Sequence, residues 1–164
     1  MIADPSLFSS PLGRQALKLE TEAFVGRAIA MIRRARAVVV KDRVEAAGLL
    51  ASRRVALCQH LQRYQQFKHG CIFDPVVRYG TASSQVVART LKAECVQMGE
   101  VFGNYHARWA RMEAAEWPLY RRDMIETVDI LVGHLDKEHR AIGQLLTIAE
   151  FYGGSPRRDT AVAA

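Results

Sequence analysis

Between Trp117 and Tyr152 the chain carries a long helical period with one carboxylate set into it. At about 100° per residue, Tyr120, Met124, Val128, Leu131, Leu135, Ile142, Leu145 and Ala149 share one face. Glu138 falls roughly 20° from the centre of that face, at a position suited to leucine. His134, one turn earlier, falls roughly 60° off centre on the same side, and His139 flanks the other side. An apolar stripe of this length can be buried only against other elements. A carboxylate is rarely buried unless it is paired, protonated or bound to a metal. The stretch therefore predicts a core helix with an acid, and histidines around it, at its seam.

Three further segments have the same period. A first helix is expected from about Leu12 to Val39, with a stripe of Leu17, Thr21, Phe24, Val25, Ala28, Met31, Ile32, Ala35 and Val39. Lys41-Asp42 makes a short link, with Asp42 as an N-cap. A second helix runs from about Arg43 to at least His69, and Leu50, Arg54, Leu57, Leu61, Tyr64 and Lys68 follow the 3–4 spacing. Asp74-Pro75 punctuates it, because the residue before proline avoids the α region. Asp74 then caps a last short turn, Pro75 to Tyr79, with proline at its first position. A third helix is expected from Ser83 to Ala114, facing inward with Val87, Leu91, Met98, Val101, Phe102, Tyr105, Trp109 and Met112. Glu94 lies roughly 40° from the centre of that stripe, and His106 lies near its edge. Trp117-Pro118 opens the fourth helix, and Gly153-Gly154-Ser155-Pro156 stops it.

Four amphipathic helices joined by short links predict an all-α fold, an up-down-up-down antiparallel four-helix bundle. The expected organisation is a flexible lead-in over 1–11, the bundle over 12–152 and a flexible tail over 153–164. A chain of 164 residues is long enough for one real core.

Charge and cysteine content narrow the setting. The net charge of +6 comes from arginines scattered through helical segments, among them Arg33, Arg34, Arg36, Arg53, Arg54, Arg121 and Arg122. No base-reading motif accompanies them, so a solvated basic surface is expected and nucleic acid is not. There is no run of 18 apolar residues and no secretory leader pattern, so no membrane association is expected. Cys58, Cys71 and Cys95 are odd in number and lack C-x-x-C spacing, which points to buried thiols in a reducing cytoplasm. A protein partner or a second copy of the chain stays open.

The candidate metal-binding residues are His134, Glu138, His69 and His60. His134 and Glu138 are i and i+4, so both can reach one point. His60 and His69 are nine residues apart and point to opposite sides of their helix, so at most one joins a central site. Glu94 and His106 are about 18 Å apart along a helix axis and cannot share an ion. The plain alternative for Glu138 is a partner inside the fold, an arginine or a tyrosine hydroxyl; Tyr64 and Tyr105 face the core. For His60, His106 and His139 the plain alternative is a surface or boundary position.

Three stretches resemble the bacterial hemerythrin-like proteins, the histidine–histidine–glutamate cation-binding family. These are L-C-Q-H-L-Q-R-Y-Q-Q-F-K-H-G-C-I-F-D-P-V-V from Leu57 to Val77, F-G-N-Y-H-A-R-W from Phe102 to Trp109, and V-G-H-L-D-K-E-H-R-A-I-G-Q-L-L from Val132 to Leu146. With helix order, the resemblance covers most of residues 15–150. It implies a hemerythrin-like bundle with non-haem iron in its core and a role in sensing. Residue by residue the match is incomplete. Where the family's first helix offers a histidine, this chain has Glu20-Thr21-Glu22. Where its second helix offers histidine then glutamate, this chain has Gln65 and His69. His106 is followed four residues on by Ala110, and only His134 and Glu138 match.

The expected function is therefore a non-catalytic sensing or regulatory module whose iron binding is weak, partial or lost. The alternative is a histidine phosphotransfer bundle using His69, because Lys68-His69-Gly70 echoes the lysine and glycine near such histidines. A di-iron oxidase is the weakest reading, since it needs at least four inward carboxylates and only Glu138 and Glu94 come close.

Overall fold

The computed structural model describes residues 6–152, with side chains from Leu7 to Ile148. The lead-in before Ser6, the Gly153–Pro156 stop, the tail and the side chain of Ala149 lie outside the described residues. The described chain is all-helical. A single turn, α1 (Ser6–Ser9), is followed by α2 (Pro11–Val40), α3 (Ala47–Lys68), α4 (Asp74–Tyr79), α5 (Ala82–Arg108) and α6 (Trp117–Tyr152). Four of these are long. Helix α2 packs against α3 and α6, and α5 packs against α6. Among the described residues, no helix is long and apolar enough to cross a membrane.

The stripes on α2 and α6 are buried as expected. Leu17, Val25, Ala28, Ile32 and Val39 of α2 meet Tyr120, Met124, Val128, Leu131, Leu135, Ile142 and Leu145 of α6 in the core. Each of the larger side chains contributes roughly 1.5–3 kcal/mol when fully removed from water, so these two stripes supply a large part of the stability of the fold. Local signals start the helices. Ser10 accepts a hydrogen bond from the Gly13 N–H with Pro11 in the first turn, and Thr81 accepts one from the Ser84 N–H. Ahead of α6, Glu113 and Glu116 form a capping box around a 3₁₀ turn, Ala114–Glu116.

Three expectations need correction. Asp74-Pro75 does not interrupt the second helix. A π-helical turn, His69–Phe73, joins α3 to α4, and Asp74 has helical angles while donating its N–H to the His69 carbonyl. Proline in a regular α-helix clashes with the carbonyl four residues back; widening that turn makes room for the ring. Asp42 is not an N-cap. Its φ is 55°, and its carboxylate reaches across to α6 instead. Helix α5 ends at Arg108, six residues early, and its inward face is rotated. Val87 and Val101 are exposed, while Ala88, Leu91, Cys95, Phe102 and Tyr105 are buried. The helix carries apolar residues on both sides of its seam, so the period alone does not fix its rotation.

Candidate functional site

Glu138 is 1 % exposed, and the buried side chains of Leu135 and Ile142 flank it along the α6 stripe. What faces it is the end of α3. The Lys68 ammonium lies 2.7 Å from both Oε1 and Oε2 of Glu138, and the Lys68 side chain is 4 % exposed. One ammonium thus engages both oxygens of one carboxylate. Tyr64, one turn before Lys68 on the same face, places its ring 4.4 Å from the ammonium. The cation is held between a carboxylate and an aromatic face, both of which offset its desolvation.

His134 stands at the edge of this pair. Its Nε2 is 3.6 Å from Glu138 Oε2, longer than a good hydrogen bond. Burial pushes the Glu138 carboxyl up, but His134 and the Lys68 ammonium outweigh it and hold the group below the usual glutamate range. Glu138 is therefore an anion at neutral pH. The Tyr64 hydroxyl has no hydrogen-bond partner among the described residues. Its phenol is pushed far up, first by burial and then by the Glu138 charge, so it stays protonated. Cys95 of α5 completes the surroundings. Burial raises its thiol, and the Lys68 charge lowers it in part.

The other candidates do not converge on Glu138. His60 is buried, and its Nε2 is 2.8 Å from the Phe24 carbonyl of α2, with the Phe24 ring beside it. His69 lies one residue beyond Lys68 on the π turn, against Phe73, with its Nε2 enclosed and unpartnered among the described residues. Burial, then Lys68 and Lys92, depress its imidazole below the usual histidine range. Glu94 turns outward and pairs with Lys137 at 2.8 Å on the surface. His106 is half-buried with an unpartnered Nδ1, and His139 is half-buried. Among the described residues, no three His, Cys, Asp or Glu side chains group so that they could hold a metal ion.

This donor set does not fit a di-iron centre. Such a centre needs carboxylates and imidazoles from several helices around two cations. Here the one buried carboxylate among the described residues already has an ammonium on both oxygens. Bringing a metal ion to Glu138 requires expelling Lys68, which has no second buried anion to receive it among its contacts.

Lys68 is the residue that sequence reasoning left unassigned. It stands at the last position of the α3 stripe, which also carries Arg54, so that apolar face offered two cations. The α6 stripe carried a lone anion. Two unmatched opposite charges on two core faces are cheapest to bury together. No protein-family model, no curated protein and no solved structure matches this chain.

Proposed function

We propose that the chain is a hemerythrin-like up-down-up-down four-helix bundle acting as a non-catalytic regulatory module, in which a lysine ammonium supplies the positive charge that iron supplies in the family. The single observation behind this reading is the Lys68 ammonium on both oxygens of Glu138. In the family resemblance, His134 and Glu138 are the two residues that match ligand positions. Neutralising that glutamate with a cation from α3 keeps the core folded without metal.

A fixed internal ion pair does no chemistry on a substrate, so the output of such a bundle is its surface. A partner protein or a second copy of the chain would read it. The enclosed Nε2 of His69 gives the phosphotransfer reading no support.

Metal analysis of protein purified from iron-supplied cells tests the proposal. The expected result is no stoichiometric iron in the native chain and no oxo-bridge absorption. Two irons per chain with that absorption would overturn it.

A further inference from the structure

Roughly 21 Å along α3 from Lys68, at 1.5 Å per residue, a second buried cation has no carboxylate. Arg54 is 8 % exposed. Its Nη2 donates to the Trp109 carbonyl, which leaves the turn after α5. Its Nε is buried and has no partner, and no carboxylate pairs with the guanidinium among the described residues. The rings of Tyr105 and Tyr120 lie 6.0 and 5.8 Å from the guanidinium carbon. Their faces offset part of the charge, on the order of 1–2 kcal/mol. A desolvated guanidinium costs several kcal/mol, so the rings do not balance it.

Beside Arg54 is a cavity of about 20 Å³, lined by Arg54, both tyrosines and apolar side chains such as Met31, Leu57 and Met124. Arg53 lines the same cavity, with its Nη1 turned to the Arg34 carbonyl. The Tyr105 hydroxyl donates to the Tyr120 oxygen at 3.4 Å, so the Tyr120 proton is available to another acceptor. The space suits one species of about water or halide size. Water would satisfy hydrogen bonds but leave the charge uncancelled, and sulfate or phosphate is too large.

We propose that this cavity is a binding site for a small monovalent anion of halide size, held by the Arg54 guanidinium and the Tyr120 hydroxyl. It does not depend on the regulatory reading above or on the Lys68–Glu138 pair.

The test is chloride binding to the full chain in gluconate buffer at constant ionic strength, followed by chloride-35 line broadening. Native protein should give saturable broadening that bromide displaces and sulfate does not. Arg54→Met should weaken binding at least about tenfold, the loss of one charge-assisted contact. Ala35→Leu, which fills the cavity and leaves the guanidinium in place, should do the same and keeps the test valid if Arg54→Met fails to fold. Absence of saturable broadening in native protein would overturn the proposal. So would equal binding by native protein and Ala35→Leu, which would mean an adventitious ion only.

Discussion

Lys68 and Glu138 stand 70 positions apart in the chain, yet one ammonium sits 2.7 Å from both oxygens of one carboxylate, and both side chains are almost wholly excluded from water. The contact ties the C-terminal end of α3 to the middle of α6. Its physical meaning lies in asymmetry. A complete buried pair contributes little net stability, because desolvating two ions offsets most of their attraction. Half a pair is expensive, because the remaining ion has neither water nor partner. Such a contact specifies which faces meet more than it strengthens their meeting.

Acid should destabilise the fold in two stages. The His69 imidazole is depressed in the folded chain, by burial first and then by Lys68 and Lys92. The unfolded chain therefore takes up that proton more readily, and stability falls as pH drops through the usual histidine range, about 6.5. The Glu138 carboxyl is also depressed, because His134 and Lys68 outweigh its burial. Its contribution is complete above the usual glutamate range, about 4.3, and is lost as pH falls towards its folded value. Urea unfolding across pH should show both stages. His69→Gln should remove the first and Glu138→Gln the second.

Asp42 should be sensitive to backbone and side chain separately. With φ at 55°, it accepts a hydrogen bond from Trp117 Nε1 at 2.8 Å and forms an ion pair with Arg121 Nη1 at 2.9 Å. Arg121 Nε also donates to the Val39 carbonyl at 3.0 Å, near the end of α2. Asp42→Ala loses the acceptor and strains the left-handed backbone, and should cost about 1–3 kcal/mol. Asp42→Gly restores the backbone and should cost less, and Asp42→Asn, which keeps an acceptor, least of all. Thermal unfolding of the three variants checks the order.

The thiols should be unreactive in the native state. Burial raises all three, and Cys95 is the most enclosed at 6 % exposure. Timed iodoacetamide labelling read by mass spectrometry should modify Cys71 and Cys58 slowly. Cys95 should be modified only at denaturant concentrations that unfold the chain. Rapid labelling of Cys95 would mean that the core around Lys68 opens readily.

How much was legible in the residues depends on how regularly each buried face keeps the helical period. The α2 and α6 stripes were readable because their buried residues recur at one period along the whole helix, although Leu19 and Ile130 stand exposed on the other faces. Helix α5 was not, because Val86, Val87, Val96 and Val101 are all exposed beside a buried seam that includes Ala88 and Cys95. The burial of Glu138 followed from its angle on the α6 face. Its partner did not follow, because a period gives a rotation about one axis and not the height at which two helices meet. The π turn at His69–Phe73 was hidden for a similar reason. Proline signals a local conflict, and the chain resolved it by widening a turn instead of ending the helix.

The most direct measurement is a double-mutant cycle on Lys68 and Glu138 by urea unfolding. Lys68→Met and Glu138→Leu should each cost about 3–5 kcal/mol, because each strands a buried charge. The double variant should cost no more than either single one, giving a coupling of at least about 3 kcal/mol in magnitude. Single losses that simply add, with coupling within about 0.5 kcal/mol of zero, would contradict the claim that this ammonium is what neutralises the buried acid.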